Sequence, residues 1–139
     1  MRTSRLERTM WRDSALSLRH GRYGADAPAL DLDFVLLEFD KGRASAIVEY
    51  KNQHASPQWA SHPSYQALIN LGDRAGLPVF AVRYADDFSW FRIVPLNQKA
   101  VEFVPQRVEL NEKEYVKLLY RLRGRTAPQS VIDGLDVEI

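Results

Sequence analysis

Polar and apolar positions along this chain follow two rhythms: a helical period near both ends and in the middle, and near-continuous apolar runs between. From about Thr3 to Arg19, a rotation of roughly 100° per residue gathers Leu6, Met10, Trp11, Ala15 and Leu18 on one face. Arg5, Arg8, Arg12 and Arg19 fall opposite, and Glu7 falls inside the apolar face, where a carboxylate needs a partner or partial solvation. Ala25–Leu30 reads as an irregular connection. The runs Asp33–Phe39 and Ala44–Lys51 are apolar enough for strands covered on both faces. Asp40-Lys41-Gly42-Arg43 between them reads as a hairpin turn, with Gly42 free to take positive φ.

A helix follows over Pro63–Ala75, with Ser61 or Ser64 as its cap, Leu68, Leu71 and Ala75 as its buried stripe, and Gly76 as its stop. Tyr65 and Gln66 take its polar or amphipathic positions. Pro78–Tyr84 is a strand of the buried type, and the intervening helix is a crossover that can lay it parallel to a neighbour. Asp86-Asp87 marks a turn. Phe88–Val94 reads as the next strand and Ala100–Val104 as a last short one. Asn111 to Arg123 is the clearest helix, with Asn111 and Glu114 as a variant capping box. Tyr115, Leu118, Leu119 and Leu122 form its buried stripe, Gly124 ends it, and Lys113, Lys117, Arg121, Arg123 and Arg125 make the segment basic on its outer side. The order predicts an α/β fold: a central mixed sheet flanked by helices, with an added C-terminal helix. Residues 1–125 form one domain, and 126–139 form an acidic, aliphatic tail suited to packing on the domain or on a second subunit.

Candidate chemistry sits where the second strand ends. In Glu49-Tyr50-Lys51, strand alternation sends the carboxylate and the ammonium to one face and the tyrosine to the other. Pairing the first two strands brings Asp33 beside them; Asp31 shares its face and is the alternative ligand, but the apolar run begins directly after Asp33. Two carboxylates and a lysine at one sheet end suit a hard divalent cation and an activated water. The plainer account of the tripeptide is a solvated strand face with an ion pair. Arg19, Arg22 and the arginines of the first helix are either solvated surface or a grip on phosphates. The polar segment Asn52–Ser64 holds His54, Trp59 and His62: a surface loop, or one whose histidines meet phosphate and whose Trp59 stacks on a base.

Composition narrows the classes. The chain has 139 residues, 45% hydrophobic and 27% charged, with a net charge of +1, so any basic surface is local. It has no cysteine, which excludes disulfides, thiolate zinc sites and cysteine nucleophiles. A Gly-rich phosphate loop and a G-x-S-x-G elbow are both missing. The first residues lack an apolar signal core and no apolar run approaches a membrane span, so the expected location is cytoplasmic with no membrane partner.

Asp33, then Ala46-Ile47-Val48-Glu49-Tyr50-Lys51, then a helix and another apolar strand, resembles the PD-(D/E)XK nuclease superfamily. The branch containing archaeal-type Holliday-junction resolvases and phage nucleases is closest in size. The resemblance covers about Leu6 to Tyr84; Leu32 stands where the family often has proline, and the family's first core strand has no clear counterpart between Tyr23 and Leu30. It implies a restriction-endonuclease-like fold and a Mg2+-dependent endonuclease cutting phosphodiester bonds of DNA, branched or junction DNA included, with Mn2+ able to substitute. By the same resemblance, Asp33, Glu49 and the backbone carbonyl of Tyr50 bind the metal, and Lys51 positions or activates water. Glu7 of the first helix and Gln66 or Tyr65 of the later helix would also reach the site. Resolvases of this branch are dimers, which implies a homodimer here. The alternative on the same fold is a catalytically inactive nucleic-acid-binding or assembly protein.

Overall fold

The computed structural model describes residues 15, 18–19, 22–24, 32–38, 41–57 and 61–136. The chain divides into two compact units, Met1–Asp31 and Leu32–Ile139. In the first, Ala15, Leu18 and Arg19 are helical, and the Arg22 amide donates to the Arg19 carbonyl at 3.0 Å. Leu18, expected on the apolar face, is 75% exposed.

The second unit is built on five strands in the order β1 (Phe34–Glu38), β2 (Arg43–Asn52), β3 (Val79–Tyr84), β4 (Phe91–Pro95) and β5 (Val108–Leu110). β2 and β3 are parallel and the other neighbours antiparallel, so the sheet is mixed, as expected for an α/β domain. Helix α1 (Pro63–Ala75) is the crossover that makes the parallel pair. Helices α2 (Gln98–Phe103), α3 (Glu112–Leu122) and α4 (Gln129–Gly134) follow. Among the described residues, no helix is long and apolar enough to cross a membrane.

Strand alternation sorts the core into two layers. Ala46, Val48, Phe80, Val82, Phe91 and Ile93 pack with Ala100, Val104, Tyr115, Leu118 and Leu122 on the face bearing α2 and α3. Ile47 and Val79 pack with Tyr65 and Leu68 of α1 on the other. β2 is thus buried on both sides at its centre, as its unbroken apolar run predicts. β1 is not. Phe34, Val35 and Leu37 are 45%, 40% and 55% exposed, because among the described residues β1 is the sheet's outer strand, paired with β2 alone.

Several boundaries differ from the sequence expectation. Ala100–Val104 is not a strand: Asn97 Oδ1 accepts the Ala100 amide at 3.0 Å and caps α2. The same buried side chain accepts the Val79 amide and donates to Asp73 and to the Leu77 carbonyl, so all its polar capacity ties α2 to β3 and the end of α1. The fourth strand begins at Phe91, after a turn in which Phe88 takes φ 61°. His62, not Ser61 or Ser64, caps α1, its Nδ1 accepting the Ser64 amide at 3.1 Å. The buried stripe of α1 is Tyr65, Leu68 and Gly72; Leu71 and Ala75 are exposed. Gly72 is there because α1 touches β3: a Cβ at that position would lie 2.2 Å from Val79 Cγ2.

The capping box of α3 forms as expected, with reciprocal bonds of 2.9 Å between Asn111 and Glu114. Its basic residues are mostly turned to structural use. Arg123 and Arg125 meet the buried Glu38 at the end of β1 at 3.1 and 2.8 Å, and Lys113 meets Asp136 at 2.7 Å. The latter pair and the buried Ile132 bind α4, within the acidic tail, to its own unit.

At the upper edge of the α3 layer the Tyr50 and Tyr115 hydroxyls hydrogen-bond one another. Burial raises both phenol pKa values. A group whose pKa is raised by folding contributes stability below its unfolded value, here near 10.0, and loses that contribution as pH rises through it. Tyr115→Phe strands the Tyr50 hydroxyl and should cost about 1–3 kcal/mol, whereas Tyr50→Phe/Tyr115→Phe together should cost less than the two singles summed. Urea unfolding gives these values; strict additivity would show that the hydroxyls are not coupled. The double variant should also lose less stability than the parent above pH 10.0.

Candidate active site

The site forms where β1 begins and β2 ends. Phe34 pairs with Val48, so the antiparallel register carries Asp33 to the level of Glu49. The Ile47 amide donates across to Pro78, toward β3; alternation therefore turns the N–H and C=O of Tyr50 the other way, toward β1. Asp33 Oδ2 accepts that Tyr50 amide at 2.9 Å, taking the place of the next rung of the ladder. Its carboxylate thus lies against the peptide joining Glu49 to Tyr50, and the Tyr50 carbonyl opens to the same strand edge.

Glu49 and Lys51 project together on the α1 face, Oε1 to Nζ at 3.6 Å. The glutamate side chain is 12% exposed and the lysine 37%, so the carboxylate is withdrawn while the ammonium reaches solvent. Tyr65 descends from α1 beside them: burial raises its pKa, the Glu49 charge raises it further, and Arg83 opposes both. The helix position expected to be amphipathic is thus the one that enters the site. Gln66, one residue on, is exposed.

Asp33 and the Tyr50 carbonyl at the edge of β2, with Glu49 on its adjoining face, are hard oxygen donors of the kind Mg2+ takes, usually one or two protein carboxylates with water and substrate phosphate completing its shell. They do not make a cage of protein ligands, and among the described residues no three of His, Cys, Asp or Glu gather as one. Glu7, Asp31, Arg5, Arg8, Arg12 and Trp59 lie outside the described residues. Arg19 and Arg22 are exposed in the first unit.

The two loop histidines both have structural partners. His62 caps α1. His54 Nε2 lies 2.8 Å from Asp86, whose other oxygen accepts from Asn52, so the loop after β2 is tied to the β3–β4 turn. Arg83 holds the same loop from beneath, donating to the carbonyls of Asn52, Gln53 and Ala55 at 3.0, 3.4 and 2.7 Å.

What the sequence reasoning missed is beside Lys51. An open groove of about 400 Å3 runs over the α1 face, lined by Lys51, Tyr65, Arg83, Arg92 and Arg107 with Pro57 at its rim. Period-two counting in β3 and β4 would have placed Arg83 and Arg92 on one face, but the register that aligns them with Lys51 is set by long-range pairing. Comparison with protein-family models, curated proteins and solved structures finds no match.

The bond from Asn52 and then the His54 contact hold the Asp86 carboxyl below its ordinary 3.8. A depressed carboxylate pKa contributes stability above the unfolded value and loses it as pH falls through the folded one. The Ala55 amide, bonded to Asn52 at 3.0 Å, should therefore exchange faster as pH falls below 3.8, relative to its intrinsic rate. Asp86→Asn should remove that pH dependence. Identical Ala55 protection profiles in the two proteins would show that Asp86 does not hold the loop.

Proposed function

We propose that this chain is a Mg2+-dependent nuclease of PD-(D/E)XK type that hydrolyses phosphodiester bonds of DNA, branched forms included. The observation that carries the reading is the convergence of Asp33 on the Glu49–Tyr50 peptide, with Lys51 3.6 Å from Glu49. Asp33 stands just before β1 while Glu49 and Lys51 share the end of β2, and a decorative surface pair would not need the Asp33 carboxylate folded onto the backbone between them.

Asp33, Glu49 and the Tyr50 carbonyl hold the cation. When bound, it supplies Lewis-acid polarisation of the scissile phosphate and acidifies water. Lys51 has the remaining task. Its ammonium is exposed enough to meet substrate and keeps donors beyond the one aimed at Glu49, so it orients the attacking water and offsets charge on the phosphoryl oxygens as the bond breaks. The Glu49 charge keeps Lys51 in place between turnovers. Tyr65, buried and close to Glu49, walls that side of the site.

Cleavage of labelled linear, flapped, four-way and single-stranded DNA with Mg2+ or Mn2+ tests this directly. Glu49→Gln keeps the side chain's volume, removes a ligand charge and should abolish cutting in a folded protein. Lys51→Ala should slow single-turnover cleavage by about 10²–10³ with metal affinity little changed. Full activity in either variant would reject these roles. Binding of DNA without cutting of any substrate would favour the inactive nucleic-acid-binding alternative.

A further inference from the structure

A row of charge crosses the sheet beside the proposed site. Lys51 on β2 pairs with Arg83 on β3, Arg83 with Arg92 on β4, and Arg92 with Glu109 on β5. Three cations thus stand side by side on one face. Like charges directly opposite one another destabilise a sheet, so the row calls for compensation. Part of it is internal. Glu49 lies beside Lys51, loop carbonyls take one Arg83 nitrogen, and Glu109 meets Arg92 Nε at 2.8 Å while Trp90 stacks under its guanidinium. Among the described residues the groove lining holds four cations, counting Arg107, and no carboxylate.

Two further features point to a ligand. Arg107 is exposed at the groove and makes no ion pair or hydrogen bond among the described residues. Tyr65 is 6% exposed and lines the same groove, and its hydroxyl has no hydrogen-bond partner among the described residues. The ring is buried while the hydroxyl oxygen stays accessible, so it can hydrogen-bond a molecule lying in the groove. The row spans two strand spacings, roughly 10 Å, which suits consecutive phosphates of an extended strand better than one small anion.

We propose that this groove seats the sugar–phosphate backbone of one nucleic-acid strand, with phosphates flanking the cleavage point held by Arg83, Arg92 and Arg107 and contacted by the Tyr65 hydroxyl. The assignment of those phosphates as flanking rests on the nuclease reading; the binding itself does not. Arg83 offers the donors left over from the loop, Arg92 turns from Glu109 to a doubly bonded phosphate contact, and Arg107 closes the far side. Recognition is of the backbone and carries no base preference.

Fluorescence anisotropy with a labelled single-stranded oligodeoxynucleotide in EDTA, across a salt series, tests the groove without chemistry. Arg107→Gln should weaken binding with an unchanged melting temperature, since the side chain makes no internal bond. Arg92→Gln/Arg107→Gln should lower the slope of log K against log salt by about 1.4, at roughly 0.7 per single-strand phosphate contact. Poly-glutamate of equal charge should compete poorly. No binding by the parent protein, a slope unchanged in the double variant, or equal competition by poly-glutamate would each overturn the proposal. A lowered slope in a protein that cuts no substrate would retire the nuclease reading and leave the groove standing. Glu49-dependent cutting with an unchanged slope would do the reverse.

Discussion

Everything in the second unit depends on β2 being covered on both faces while its last residues are not. Ala46, Ile47 and Val48 are 0–2% exposed, fixed between the α3 layer and α1. A strand buried on both faces resists register slip, because a shift of one residue would carry Glu49 and Lys51 into the interior. With the register fixed, the strand's end acquires a definite chemistry. One edge presents Tyr50 to Asp33, and one face carries Glu49 beside Lys51, which lines the groove.

The neighbours of β2 show how that frame is held. Asn97 spends two acceptor and two donor bonds on joining the start of β3, the end of α1 and the first turn of α2. Gly72 lets α1 approach β3 closely enough for Tyr65 to reach the site from the helix's other end. At the opposite end of the sheet, Glu38 is buried with two arginines. Arg123 is largely covered and Arg125 reaches solvent, so the buried carboxylate keeps one partner if either arginine is lost. The basic residues of the α3 segment thereby secure the edge strand and the tail, and the groove's positive charge comes from the sheet.

Charge on the two faces is accordingly divided by depth. The α3 face is aromatic at its open end, with Phe34, Tyr50, Tyr84, Phe91 and Tyr115 in edge or stacked contact. The α1 face is apolar only as far as Ile47 and Val79, and one rung beyond Glu49 and Ala81 it becomes a line of cations. Polar function occupies the part of the sheet that α1 is too short to cover. The loop after β2 limits the opening, held by Arg83 below and by Asp86 at its tip.

By itself the sequence determined whatever depends on local periodicity and capping. The bounds of α1, the Asn111 capping box, the Gly42 turn and the apolar run of β2 follow from residues within a few positions of one another. The hairpin carried Asp33 toward the end of β2, but its level with Glu49 depends on the register shift between Leu36 and Leu37, without which Asp33 would stand across from Val48. Short segments were less legible. Ala100–Val104 has strand-like residues, and only Asn97, with partners at Val79 and Asp73 far along the chain, makes its surroundings helical. The alignment of Lys51, Arg83 and Arg92, the entry of Tyr65 and the internal use of Arg123 and Arg125 were decided by tertiary structure alone. Each depends on which strands become neighbours and how far a crossover helix reaches, and those are set by packing between residues tens of positions apart.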